Sequence, residues 1–282
     1  LHDGDGIRTT VFLKGCPLRC LWWHNPESQN AGTELFFHSE KCVSCGRCVA
    51  GCAARTLDQG KLEFDRQKCT LCGNCENKVN ELCGKTATPD EILETVAKDK
   101  IFYDTSGGGM TLSGGEPAMQ SDFSLALARG AKKMGIHTAI ETCGYGEKSF
   151  FLQAAAESCT FLYDLKAMDS NKHKALTGTG NERIFDNLSA LFACNADVII
   201  RLPLIPTVND SDSDLKSLAA FLAEHQNSFR FAEIMAYHKL GTSKEADLGR
   251  IPALDVPEGE RYQTKWQEKL RQFGFEVKRS DN

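Results

Sequence analysis

The chain has 282 residues, 41% of them hydrophobic and 25% charged, with a formal net charge of −5. That composition describes a globular protein with a sizeable core and excludes both a disordered chain and a nucleic-acid-coating one. It contains no run of about eighteen apolar residues, and "LHDGDGIRTT" lacks the charged and apolar regions of a secretory signal, so a cytoplasmic protein with no membrane partner is expected.

In chain order, residues 8 to 14, "RTTVFLK", read as a strand by their β-branched content. Because the chain opens on Leu1 so close to this strand, a short preceding piece carrying an edge element is expected. The strand runs into "GCPLRCLWWHN", residues 15 to 25. Here Cys16 and Cys20 stand four apart, and Trp23 occupies the position where a metal-binding loop wants a third thiolate. From 38 to 86 the composition shifts to Cys, Lys, Gly and Asn with little apolar periodicity, so this stretch needs a covalent or metal framework. It reads as a small domain inserted into a larger one made of 1–37 and 87–282.

After the insertion, Thr88 as N-cap, Pro89 at the first helical position and Glu91 completing a capping box open a helix. Strands follow near 109–113, 137–142, 160–165, 196–203 and 230–236, alternating with helices near 118–134, 148–157, 183–194 and 213–225. The alternation predicts an α/β fold with a parallel sheet, open or curled towards a barrel, whose polar loops at the strands' C-terminal ends form the active face. Those ends carry Gly114 to Pro117, Glu141 to Gly144, Asp164 with Lys166, Arg201, and Tyr237 with His238.

Eight of the thirteen cysteines fall between 42 and 83. Tight clustering in a chain without an export signal favours metal over disulfides. "CVSCGRCVAGC" carries Cys42, Cys45, Cys48 and Cys52, and "CTLCGNCENKVNELC" carries Cys69, Cys72, Cys75 and Cys83. Three closely spaced thiolates clamping one cubane, with the fourth reaching to the other, is the bacterial ferredoxin pattern. It assigns Cys42, Cys45, Cys48 and Cys83 to one 4Fe-4S cluster and Cys69, Cys72, Cys75 and Cys52 to the second. Two zinc sites are the alternative. Two departures weaken the cluster that depends on Cys83: Ala53 stands where a proline usually follows, and the last gap is seven residues where the pattern has three. In "LSGGEP", residues 112 to 117, the glycines allow a ligand close to the backbone, and the strand-end carbonyls with Glu116 suit a positively charged amine.

"DGDGIRTTVFLKGCPLRCLWWHNPES", the ferredoxin-like insertion, "TLSGGEP", "ETCGY", "YDLKAMD", "LTGTGNERIFDNL", "RLPLIPTVNDS" and "YHKLGTSK" together resemble the glycyl radical enzyme activating enzymes of the radical SAM superfamily, over nearly the whole chain. The resemblance implies a partial (β/α)6 barrel and a C-x3-C-x2-C loop holding a 4Fe-4S cluster whose open iron takes S-adenosylmethionine. It implies reductive cleavage to a 5'-deoxyadenosyl radical, which removes a hydrogen from a glycine of a partner glycyl radical enzyme. A flavodoxin or ferredoxin type reductant, a monomeric chain and a monovalent cation near the methionyl group belong to the same expectation.

Carried over by the resemblance, Cys16 and Cys20 are cluster ligands and Trp22 lies beside the adenine. Gly114, Gly115 and Glu116 face the methionine amine, Thr142 lies with them at the cofactor, Asp164 and Lys166 sit near the methionyl group and cation, and His238 lies by the adenosine. Asp164 and Lys166 also read as an ordinary ion pair, and His238 as a loop residue satisfied by backbone. Arg201 binds a SAM carboxylate or pairs with Asp164. Cys143, Cys159 and Cys194 read as core thiols. Asp3 and Arg8 match the family's DGxGxR segment, near the docking place of the partner's glycine loop. Trp23 departs from the family. An indole has only an N–H donor, so the third thiolate is absent, and His24 lies one residue further along. The expectation is an activase architecture with an impaired catalytic cluster, or an inactive descendant serving in electron transfer or partner binding.

Overall fold

The computed structural model describes residues 4–279, so Asp3 lies outside the described residues. Strand β1 (Arg8–Leu13) leads into the cysteine loop. The cysteine-rich stretch carries β2 (Glu34–Phe37), the hairpin β3 (Arg55–Asp58) and β4 (Lys61–Phe64), and β5 (Asn80–Cys83). Then follow α1 (Pro89–Ala97), α2 (Lys100–Ser106), β6 (Gly109–Gly114), α3 (Ser121–Lys133), β7 (His137–Thr142), α4 (Lys148–Ala156) and β8 (Thr160–Asp164). The chain continues through α5 (Ser170–Thr177), α6 (Glu182–Ala193), β9 (Asp197–Leu204), α7 (Asp212–Glu224), β10 (Ala232–Ala236), α8 (Leu240–Asp247), α9 (Gln263–Gln272) and the two-residue β11 (Lys278–Arg279). The strands and helices expected from periodicity all form, with only their ends shifted. Helices α2, α5, α8 and α9 add to them.

The main sheet has the order β1-β6-β7-β8-β9-β10-β11, and every neighbouring pair is parallel. A sheet wound in one direction, with right-handed crossovers, places its helices on one face and curls the other inwards. This is a partial (β/α) barrel of six strands, with β11 added at its edge. Alternation along the strands divides the burial. Met110, Leu112, Ile140, Phe161, Tyr163, Val198, Ile200 and Leu202 pack under the helices, while Ala139, Leu162 and Ile199 form a separate small cluster on the opposite face.

The capping box at the start of α1 is present: Thr88 Oγ1 accepts from the Glu91 N–H, and the Glu91 carboxylate accepts from the Thr88 N–H at 2.7 Å. In the insertion, β2 pairs antiparallel with β5, and β3 with β4. Residues 34–37 are thereby tied to the cysteine-rich stretch. Arg66 joins it to the barrel side, donating to the carbonyl oxygens of Leu35, at 2.7 Å, and of Asp247. His38 Nδ1 meets the Asp247 carboxylate at 2.8 Å.

Candidate active site and cysteine-lined cavity

The loop after β1 is stitched to the loop after β6 by backbone bonds. The Gly115 N–H donates to Leu13 O at 2.7 Å and the Glu116 N–H to Gly15 O at 2.8 Å. Gly114 has φ +99°, and a Cβ on Gly115 would stand 2.3 Å from Gly15 O, so side chains at this pair would part the two loops. The glycines therefore bring the cysteine loop onto the sheet.

The result is a cavity of about 150 Å³ at the barrel mouth. Cys16, Cys20, Trp22 and Trp23 line one side, Gly114, Gly115 and Thr142 another, and Asp164 with Lys166 a third. Trp22 is buried with Ile205 and Tyr237, an apolar wall suited to a flat aromatic base. Lys166 Nζ donates to Asp164 at 2.6 Å. Burial by itself would lower the Lys166 ammonium, but the neighbouring Asp164 carboxylate and Cys20 hold it above its ordinary range. Burial pushes the Cys20 thiol up to about 12 against the pull of Lys166, so metal binding here must displace a proton.

Three assignments change. Glu116 is fully buried and faces the protein: its carboxylate accepts from Thr142 Oγ1 at 2.8 Å, from the Cys143 N–H at 2.8 Å and from the Ala118 N–H at 3.1 Å. Burial raises this carboxyl, and the donated bonds oppose the shift; its role is to tie the β6 loop to the β7 loop. Arg201 is bonded to neither Asp164 nor the cavity. Its Nη1 donates to Glu141 at 3.0 Å and its Nε to Glu233 at 2.9 Å, inside the barrel. Cys194, read as a core thiol, is exposed at the end of α6, whereas Cys143 and Cys159 are buried.

Cys143 is the residue the sequence reading undervalued. It lines the cavity and packs with Cys16, Leu18 and Trp23. Its place in "ETCGY", at a strand's C-terminal end, was the available signal. Trp23 lies against these thiols, and its Nε1 is buried with no hydrogen-bond partner among the described residues. The loop's own donors, two thiols and an indole, do not make a three-thiolate set.

His238 reaches the site through His24, with ring centroids 3.9 Å apart in a stacked arrangement. Burial, reinforced by His238, lowers the His24 imidazole from 6.5 to about 4. Between those values the folded state keeps His24 neutral while the unfolded chain protonates it. Stability is therefore fully present above pH 6.5 and is lost as pH falls towards 4, by about 3 kcal/mol. Denaturant midpoints of the metal-free chain at pH 7 and pH 4.5 should show the loss, and His24→Phe should remove most of it. An equal loss in both chains would assign it to other groups.

In the insertion, Cys52, Cys69, Cys72 and Cys75, the second predicted set, all line one cavity of about 240 Å³, joined by Cys48. Among the described residues no three His, Cys, Asp or Glu side chains converge as ligands of a single ion. The thiols are spread around the wall of the cavity instead. Cys42, Cys45 and Cys83 lie outside this wall. Cys83 sits on β5 opposite Glu34.

Comparison with known sequences and structures completes this picture. The sequence pattern of the Radical SAM superfamily matches residues 66–219, more than half of the chain. The isethionate sulfite-lyase activating enzyme of Nitratidesulfovibrio vulgaris is 41% identical over 92% of this chain and 87% of its own length. This chain belongs to the activating enzymes of the radical SAM superfamily. The choline trimethylamine-lyase activating enzyme of Oleidesulfovibrio alaskensis is 42% identical over 88% of this activating enzyme and 84% of its own length. The benzylsuccinate synthase activating enzyme of Thauera aromatica is 40% identical over 89% and 79%. Among solved structures, a domain of the pyruvate-formate lyase-activating enzyme from Bacteroides vulgatus superposes with a TM-score of 0.50 at 26% identity, covering 61% of this chain and 98% of that one. Among the described residues no helix is long and apolar enough to cross a membrane.

Proposed function

We propose that this activating enzyme binds S-adenosylmethionine at the barrel mouth, cleaves it reductively and installs a glycyl radical on a partner glycyl radical enzyme, with turnover impaired by Trp23. The observation that carries the reading is the meeting of Cys16 and Cys20, Gly114 and Gly115, and Asp164 with Lys166 on one cavity. The strand-end carbonyls of the glycines suit the methionine ammonium, and Lys166 suits its carboxylate. Asp164 is the oxygen ligand for a monovalent cation, and Trp22 covers the adenine. The insertion relays electrons from a flavodoxin or ferredoxin type reductant, and the chain acts as a cytoplasmic monomer with no nucleic-acid partner. Relatives of similar identity are named for three different partners, so the partner is to be identified by experiment.

The test is to incubate the reconstituted chain with SAM, dithionite and each candidate partner under anaerobic conditions, and to record the glycyl radical by electron paramagnetic resonance. A weak SAM-dependent signal on one partner is expected, strengthened in Trp23→Cys. Trp23, with its orphaned indole N–H beside an intact insertion cavity, favours one other reading, an inactive descendant that transfers electrons or binds the partner. SAM binding without a radical on any partner in either chain would establish that second reading.

A further inference from the structure

Arg55 opens β3 and is 2% exposed. Its guanidinium lies between two rings, 4.4 Å from the centre of Phe37 and 3.7 Å from that of Phe64. Only Nη2 finds a hydrogen-bond partner, the neutral amide oxygen of Asn80 at 2.5 Å. Nε and Nη1 are buried with none among the described residues. A guanidinium stays charged in a protein and is strongly disfavoured when buried without a counter-charge. Aromatic faces and one amide leave its fork of donors unused.

The same side chain lines the cavity walled by Cys52, Cys69, Cys72 and Cys75. A buried cation with two idle donors, facing four cysteines that become anionic on metal binding, lacks only the anion that completes it. We propose that Arg55 compensates the charge of the cluster held by these four thiolates, donating Nε–H and Nη1–H to its sulfur atoms and raising its reduction potential. The proposal rests on the ferredoxin reading of the insertion. Its sign follows from charge: one-electron reduction adds a negative charge to the cluster, and a fixed positive charge with hydrogen bonds to sulfur favours the reduced form.

The experiment is a potentiometric titration of the reconstituted full chain, followed by electron paramagnetic resonance, with Arg55→Met and Arg55→Lys beside the parent. Arg55→Met should lower the midpoint of one cluster by a tenfold change in its reduction equilibrium or more, about 59 mV for one electron. Arg55→Lys, which keeps the charge and loses the fork, should fall between. Circular dichroism of the reconstituted chains should show the parent's fold in both variants. Loss of that cluster's iron from an Arg55→Met chain that keeps this fold would also support the proposal. An unchanged midpoint, or an Arg55→Met chain that does not fold, would overturn it and leave the arginine a structural role. A parent chain without labile sulfide would overturn the ferredoxin reading instead.

Discussion

Replacing Trp23 with cysteine is expected to raise reductive cleavage of SAM by at least about a hundredfold, the upper end of what losing even an outer partner of a metal ligand costs. Cys16 and Cys20 already line the barrel cavity, and Trp23 lines it beside them. Substitution there exchanges a donor with no metal lone pair for a thiolate and removes a buried indole N–H that has no partner. Trp23→Ser is the control: it opens a similar space without a thiolate and should stay at the parent's rate. The measurement is 5'-deoxyadenosine formed under dithionite. Equal rates in the serine and cysteine variants would mean that the indole's bulk, and not the missing ligand, limits the reaction. A parent as fast as Trp23→Cys would mean that another side chain completes the set, with Cys143 and His24 already on the cavity wall.

Arg201→Met is expected to destabilise the chain by about 3 kcal/mol, the lower end for one partner removed from a buried ion network. The arginine is 1% exposed and bridges Glu141 on β7 to Glu233 on β10 across the barrel interior. Burial lowers its guanidinium, but the two carboxylates more than offset that and raise it. Without it, Glu141 and Glu233 face each other with no charge between them. The lower end applies because both glutamates retain some solvent contact. Urea unfolding of the metal-free chain measures the loss, and adding Glu233→Gln should recover part of it, since neighbouring sites in one network are not additive. A loss below about 1 kcal/mol would show that solvent already screens the network.

Much of the barrel was legible because its signals are local. Each strand from β6 to β10 is a short apolar run, and helices α3, α4, α6 and α7 repeat on their own period. The Thr88, Pro89 and Glu91 cap lies within four consecutive residues and formed as read. The missed helices α5 and α8 are eight residues each, too short and too polar to stand out against turns. α5 owes its ends to Asp169, which accepts from the Lys172 N–H, and to Gly178 at φ 85°. Those are cap signals that a search for apolar periodicity passes over.

Chain order alone determined that this protein has closely spaced cysteine runs, a parallel βα architecture, and a loop in which Trp23 stands where a third thiolate was expected, because each depends on residues close together in sequence. Tertiary structure decided which of those groups meet. Strand pairing sets Arg201 beside both Asp164 and Glu233, and the curl of the sheet brings Glu141 within reach, so that its ion pairs go to the two glutamates. Only the stitching of the β1 and β6 loops sets Cys143 beside Cys16 and turns Glu116 into the protein. Arg55 looks like any hairpin arginine until Phe37 and Phe64, from two different strands, close over it. Burial and the pairing of charges are set by segments distant along the chain, and a sequence read locally carries no distance between them.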